Sequence, residues 1–423
     1  MTADPGAEVL KVAIVGCGNI SRRHAEAYAS TGRTELVGTA DLDLTKARTL
    51  AERFGGRPYG SLTELLAAEQ PDLVSIATPP ESHGELAAEA LGADASVLLE
   101  KPPVLSLQEL DYVAKVEAIS AGSASVVFQH RHGSGAIRAH DLLARGALGR
   151  PLVAVCETLW FRPTSYFDPE WRGTWIGEGG GPTLGHGIHQ IDLLLHLLGP
   201  WKSIDATAVR LDRPVQFEDV SMASVVFESG AVATVINSLL SPRELSRIRI
   251  DTSGGTLEVN HVYGYSDKDW TFYPAPDAAK AATLGLDPGV RKTSTGPGSA
   301  GSGAAGPGSA GPEAAGPEAA GPEAAGPEAA GSAADSWAAS AGADVPSNHE
   351  AQINHLVDDL LAGRTHSTSL ASTRPTMEFV TALYASAITG TRVRRTDLTP
   401  DNRFYDMLHG GFSLPELAEA FRP

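Results

Sequence analysis

Short apolar runs alternate with amphipathic stretches over the first 130 residues. KVAIV (11–15) is a β-rich run that stops at Gly16, and an alanine-rich helical pattern follows from Ser21 to about Ser30. The same grammar repeats: ELVGTA (35–40) reads as a strand, LTKARTLAERF (44–54) and LTELLAAE (62–69) as helices, and LVSIAT (73–78) as a strand. Helix HGELAAEALGA (83–93), strand SVLLE (96–100), a helix over 107–121 and strand SVVFQ (125–129) complete the series. Strands regularly separated by helices predict a parallel sheet covered on both faces, the doubly wound Rossmann architecture.

Beyond about residue 150 the pattern changes to longer β-rich stretches, at 151–161, 203–211, 218–240 and 245–259, with turn signals such as ESG and SGG between them. One strong helix, HGIHQIDLLLHLLG (186–199), interrupts them and stops at Gly199-Pro200. The second domain is therefore expected to be α+β, built on a large, mostly antiparallel sheet. Residues 287–345 are nearly all Gly, Ala, Pro, Ser and Glu, with four successive copies of GPEAA across 311–330. Such a composition cannot offset the entropy of ordering, so a disordered insertion is expected, which a folded domain tolerates because loop-closure cost grows slowly with length. Helical patterns resume at HEAQINHLVDDLLAG (349–363) and PTMEFVTALYASAITG (375–390). The expected division is a Rossmann domain at 9–130, an α+β substrate and oligomerisation domain at 131–286 and 346–400, and the insertion at 287–345.

A chain of 423 residues exceeds what one core usually serves, and 42% hydrophobic with 20% charged residues is a globular composition. A formal charge of -18, with no basic run to offset it, argues against nucleic acid as a partner. It leaves room for an anionic cofactor, because backbone N–H groups at a helix start supply local positive potential. Two cysteines far apart, Cys17 and Cys156, suggest neither a disulfide framework nor a zinc site and fit a reducing cytoplasm. The N-terminal MTADPGAEVLKVAIVG has no basic segment before its short apolar run, so neither a signal peptide nor a membrane anchor is expected.

Three constellations carry chemistry. Gly16-Cys17-Gly18-Asn19-Ile20-Ser21 lies between a strand and a helix: Gly16 permits the tight turn, Gly18 lets the backbone approach a pyrophosphate, and Ser21 is small enough for helix and strand to pack. Asp41, roughly 20 residues on at the end of the second strand, is placed to accept from ribose hydroxyls, which favours NAD over NADP. Leu99-Glu100-Lys101-Pro102 ends a strand at the ligand-binding edge of the sheet. Read alone, Lys101 fits a solvated lysine as well as a group that stabilises an alkoxide. The run GGGPTLGHGIHQID (179–192) sends a flexible glycine segment into a helix bearing His186 and His189. Asp192, at i+3 from His189, shares its face and would orient the imidazole as a general acid/base, although a helix-start histidine held by that carboxylate fits equally. No third ligand at metal spacing is evident, so no metal is expected.

Taken together, GCGNIS, IATPPESH (76–83), EKP (100–102) and GGG…GIHQID resemble the Gfo/Idh/MocA oxidoreductases, in the same order over about residues 9 to 275 and again over 349–393. The resemblance implies a cofactor set of Gly16, Gly18, Asn19, Ile20, Ser21, Asp41, Thr78, Pro79, His83, Glu100 and Lys101, and a cis proline after Lys101. It also implies that Lys101 lies beside the nicotinamide and that His189 is the acid/base. The family often carries an aspartate four residues before that histidine; Gly185 stands there. The implied reaction is hydride transfer between nicotinamide C4 and a secondary hydroxyl or carbonyl of a sugar, cyclitol or related polyol. Arg131, Trp160, Arg162, Trp171, Arg172 and His186 are candidate substrate-pocket residues beside His189. Two alternatives stay open: an NAD-assisted glycoside hydrolase of the same family and a dinucleotide-binding regulator without turnover. Four β-rich stretches with helices enough for one face imply a homo-oligomer, dimer or tetramer, through the second domain.

Overall fold

A computed structural model describes residues 9–276 and 333–423. Six parallel strands form the first sheet: β1 (Leu10–Val15), β2 (Thr34–Ala40), β3 (Arg57–Tyr59), β4 (Leu73–Ile76), β5 (Ser96–Leu99) and β6 (Ala124–Val126), in spatial order β3-β2-β1-β4-β5-β6. Every residue of β4, β5 and β6 is buried, the continuous apolar signature of strands covered on both faces. The covering helices are α1 (Ser21–Thr31), α2 (Leu44–Phe54), α3 (Leu62–Glu69), α4 (His83–Gly92) and α5 (Leu107–Glu117). Asp43, Ser61 and Ser106 cap α2, α3 and α5 by accepting from backbone N–H groups of the first turn. The strand order reverses between β1 and β4, which opens a crevice at their carboxyl ends. The three-residue β3 escapes the sequence pattern because an edge strand reading Arg-Pro-Tyr has no apolar alternation.

The second sheet has eight strands: β7 (Pro151–Phe161), β8 (Trp201–Val209), β9 (Val220–Phe227), β10 (Val232–Ser238), β11 (Leu240–Thr252), β12 (Gly255–His261), β13 (Trp270–Pro274) and β14 (Val393–Arg394). Their order is β13-β12-β11-β7-β10-β9-β8-β14, antiparallel throughout except for the parallel pair β7 and β10. The apolar stretches at 218–240 and 245–259 each resolve into two strands, split at turns around Gly230 and Gly254. Among the described helices, α6 (Ser134–Ala144) packs on α9 (Ile188–Leu198), which lies against β7 and β11, and a helix at Leu370–Thr389 lies along β8. Two one-turn helices, α7 (Trp175–Glu178) and α8 (Pro182–Gly185), lead into α9. On the opposite sheet face Val153, Met222 and Val232 are each close to half exposed.

The C-terminal part differs from the sequence expectation in three ways. Residues 287–332 of the expected insertion lie outside the described residues, but 333–345 are ordered, beginning with α10 (Ala333–Ala339). The reason is one large side chain in a poor background: the Arg138 guanidinium lies 4.0 Å over the Trp337 ring, and the Asp267 N–H donates to Asp344 at 2.9 Å. Helix α11 (His349–Leu361), expected in the second domain, closes the Rossmann domain instead. Its Ile353, Leu356 and Val357 share a core with Val12, Ile14, Ala25 and Tyr28, and Asp358 pairs with Arg33 at 2.5 Å. Helix α12 (Leu370–Thr389) starts before Pro375, because Ser369 caps it by accepting from Ser372 N, and the proline lies inside the helix. Short helices α13 (Arg403–Asp406) and α14 (Leu414–Ala420) follow.

Candidate active site

The glycine turn occupies the crevice between β1 and β4. Gly16 has φ +85°, and a Cβ there would lie 2.6 Å from the Ala77 carbonyl carbon, so only glycine lets the two strand ends approach. A Cβ on Gly18 would meet nothing within 4 Å, which leaves the approach to the turn open. No side chain caps α1 at Ile20, unlike α2, α3 and α5, so the first N–H groups of the helix have no side-chain partner. Ser21 is fully buried and donates its hydroxyl to the Gly18 carbonyl at 2.6 Å, so the small third residue does pack helix on strand. Asp41 accepts from Cys17 N and Asp43 N, both at 2.8 Å, which aims its carboxylate across the mouth of the turn. These residues fit a dinucleotide: a glycine cradle, an uncapped helix start and a carboxylate at ribose distance along the chain.

At the other lip, Thr78 accepts from the Ser82 hydroxyl at 2.7 Å, and Pro79 starts the short turn to α4. His83 is a correction to the expected cofactor set. Fully buried, its ring stands between the Pro102 carbonyl (Nδ1, 2.8 Å) and the Thr78 carbonyl (Nε2, 2.9 Å), tying together two loops rather than facing a ligand. Glu100 is likewise turned inward: His24 and His349 donate to Oε1 at 2.9 and 3.3 Å, and Lys101 N donates to Oε2 at 3.1 Å. Burial opposes its ionisation, yet the two imidazoles hold its carboxyl well below the usual range. Among the described residues, these three also bring potential cation ligands within 4.8 Å of one another, although the hydrogen bonds already satisfy them.

Lys101 precedes a cis proline, and its Nζ donates to the Gly185 carbonyl at 2.8 Å. Burial pushes its pKa down from the ordinary lysine value, against the pull of Glu100 and Glu178. That bond brings the EKP segment onto the segment before α9. The glycine run there is close-packed rather than flexible: a Cβ on Gly180 would lie 2.3 Å from Tyr384 Oη, and one on Gly181 would lie 2.2 Å from the Glu218 carbonyl. Position 185 is the opposite case, with open space where a side chain would begin.

His189 is buried, with Nδ1 unpartnered and no side-chain hydrogen bond to either ring nitrogen. Burial first, then the charge of Lys101, holds its pKa well below 6.5. The expected pairing with Asp192 does not form. Asp192 is fully buried, and Arg131 takes both of its carboxylate oxygens at 2.7 and 2.5 Å while Thr376 donates at 2.9 Å. The i+3 spacing permitted a contact, but a bidentate guanidinium is the stronger claimant. Arg131 is therefore a structural residue of the core and Asp192 is not a catalytic one.

Four other expected pocket residues do converge. The Trp160 and His186 rings are 5.1 Å apart, Arg162 lies 4.8 Å over Trp160, and Arg172 lies 3.9 Å over Tyr166. Trp171 stacks under Arg172 at 4.4 Å and is about half exposed, at the rim. Both arginines already have carboxylate partners, Glu244 at 3.1 Å and Glu178 at 3.3 Å. Unpartnered buried atoms gather nearby: His186 Nδ1, His189 Nδ1, His130 Nε2, Gln129 Oε1 and Gln190 Oε1. Polar atoms left bare at one place mark where a ligand's hydroxyls belong.

Comparison with known proteins agrees with this arrangement. The model of an oxidoreductase family with an NAD-binding Rossmann fold matches residues 10–127, and the GFO/IDH/MocA C-terminal domain matches residues 136–258. The chain belongs to this oxidoreductase family. D-glucoside 3-dehydrogenase of Escherichia coli is 27% identical over 289 residues, 62% of this chain and 80% of its own. D-apiose dehydrogenase of Paraburkholderia graminis is 30% identical over 270 residues, 60% of this chain and 68% of its own. The fold matches the WlbA dehydrogenase of Bordetella pertussis, solved with NADH and UDP-GlcNAcA, with a TM-score of 0.70 at 22% identity over 92% of this chain and 99% of that one.

In this oxidoreductase, several site residues had no local signal in the sequence. Tyr263 follows β12 in a loop, yet its ring is 6.2 Å from His189 and 5.9 Å from Trp160. His130 lies 5.2 Å from His189, ring to ring, and burial pushes its pKa down to about 3. Gln190 donates to Tyr265 Oη behind them. His24 and His349 reach Glu100 from 76 and 249 residues away.

Proposed function

We propose that this oxidoreductase transfers a hydride between a nicotinamide and a secondary hydroxyl or carbonyl of a sugar or related polyol, with NAD preferred over NADP. The observation that carries the reading is the bond from Lys101 Nζ to the Gly185 carbonyl beside an unpartnered, neutral His189. It brings a cation and a free imidazole together at the carboxyl edge of the Rossmann sheet, with one strand, β4, between them and the glycine cradle. The curated relatives named above are sugar dehydrogenases, which supports the substrate class.

Residues 16–21 would hold the pyrophosphate, Asp41 the adenosine ribose, and Thr78 with Pro79 the lip near the nicotinamide. Bound there, the nicotinamide supplies the hydride acceptor or donor. The chain does the proton chemistry: His189 accepts the hydroxyl proton on one of its free ring nitrogens, and Lys101 stabilises the negative charge that develops on oxygen. A depressed imidazole pKa suits this direction, since the base must be neutral to accept. Glu100 acts through Lys101, because its bonds to His24, His349 and Lys101 N fix the strand end that carries the lysine. Gly185 removes the carboxylate that relatives often place there, so substrate hydroxyls would meet His186, Gln129 and Gln190 instead.

The test is a panel of sugars and polyols incubated with the protein and NAD, read at the absorbance band of reduced nicotinamide. Accumulation of NADH with at least one member is the expected result. Retained NAD with glycoside cleavage and no net NADH would favour the hydrolase alternative.

A further inference from the structure

Two basic side chains beside the reacting centre take no part in the arrangement above. Arg23, on the first turn of α1, and Lys268, in the turn after β12, make no ion pair and no side-chain hydrogen bond among the described residues. Both line one cavity of about 330 Å³ together with Gln129, Tyr263 and His349. None of residues 16–21, 41, 78, 79 or 101 lines it, so the cavity is separate from the dinucleotide cradle. Tyr263 joins it to the reacting centre, since the same ring faces His189 and Trp160, and 40% of the residue remains exposed. The carboxylate lining the cavity, Asp269, is already engaged by Ser266 N and Oγ at 2.8 and 3.0 Å.

The chemistry of the lining specifies an occupant. In a chain of net charge -18, two unpaired cations against the single carboxylate of Asp269 make this cavity a local reversal of the field. A guanidinium and an ammonium together suit the oxygens of a phosphate, the first by a two-pronged contact and the second as a point charge. Gln129 adds a second requirement: its Nε2 donates to Tyr263 Oη at 2.7 Å, while its Oε1 is buried and has no donor. That oxygen calls for a hydroxyl, and the exposed Tyr263 ring offers a flat face for a sugar ring.

We propose that this cavity is the subsite for the phosphate of a phosphorylated sugar: the ester oxygens lie on Arg23 and Lys268, a hydroxyl donates to Gln129 Oε1, and the ring lies against Tyr263. The proposal rests on the sugar-dehydrogenase reading and names the substrate class within it.

The experiment is calorimetric titration of the NADH-loaded full chain with glucose, glucose 6-phosphate, glucose 1-phosphate and UDP-glucose. At least one ester should bind tenfold or more tightly than glucose, and which one does so separates a sugar phosphate from a glycosyl nucleotide as the source. The Arg23→Gln/Lys268→Gln variant, in which both changed residues are exposed, should lose that advantage while NADH affinity stays within twofold. Glucose binding as tightly as every ester overturns the subsite. So does a variant that loses NADH and keeps the preference for the ester, because Arg23 would then belong to the cofactor. Turnover of neutral sugars with no gain from phosphate leaves the dehydrogenase reading standing without the subsite, whereas no reduction of NAD by any sugar removes both.

Discussion

Replacing His189 with asparagine separates the catalytic from the structural reading of this residue. The imidazole makes no hydrogen bond, so its removal strands no partner, and it contacts the rings of Phe128, His130 and Tyr263 only edge-on or tilted. The fold should therefore lose no more than about 1–2 kcal/mol, the usual cost of trimming one buried contact surface. NAD affinity should hold if, as proposed above, residues 16–41 and 78–79 bind the dinucleotide. Turnover should fall by about two to four orders of magnitude as general acid/base assistance is lost. At 1.36 kcal/mol per decade, that is about 2.7–5.4 kcal/mol on the barrier. Urea unfolding, NADH fluorescence titration and single-turnover kinetics read the three quantities separately. Lys101→Met should also slow turnover, by removing charge rather than a proton acceptor, and the double variant should lose less than the product of the two effects. A His189→Asn protein that folds, binds NAD and turns over near the wild-type rate would refute the assignment. His186, whose Nδ1 is also buried and unpartnered, would then be the next candidate.

Other outcomes follow from the same geometry. The alkaline limb of kcat/KM should lie below 10.5, because burial lowers the pKa of Lys101 and its charge is lost as pH rises through that lowered value; a limb at the ordinary lysine position would contradict this. His189 should give no acidic limb at 6.5, since its depressed pKa keeps it neutral until lower pH. Asp41→Ala should weaken NAD binding by about tenfold, consistent with losing one or two hydrogen bonds, and should narrow the preference over NADP; titration with both cofactors measures it. Trp337→Ala should lower stability in urea by about 1–2 kcal/mol by removing the Arg138 stack, and no change would mean that α10 is not docked in solution. The half-exposed face of β7, β9 and β10 should meet a second subunit, so light scattering at micromolar concentration should report an oligomer and not a monomer.

What could be read from the chain alone were features whose causes are local. The strand–helix alternation of the first domain, the glycine turn at Gly16 and Gly18, and the helix bearing His189 all depend on residues close together in the chain. Periodicity and turn chemistry therefore report them directly. The four ordered motifs extended that reading to Lys101 and its cis proline. Trp160, Arg162, Arg172 and His186 also converge as expected, since they lie in segments that lead into the same helix.

What only the tertiary structure decided were choices among distant partners. Asp192 lies three residues from His189 and 61 from Arg131, yet it binds the arginine, because packing of α9 buries that carboxylate beside a guanidinium that can take both of its oxygens. Gly180 sits in a glycine run that reads as flexible, yet Tyr384 packs against it, and the apolar stripe of α11 meets Tyr28 on α1 rather than the second domain. Tyr263, His130 and His349 have unremarkable neighbours in the sequence and enter the site only through contacts with distant segments. Periodicity tells a residue which way to face along its own element. Which group it meets there depends on burial and charge competition across the whole fold, and one chain read in order carries no such distances.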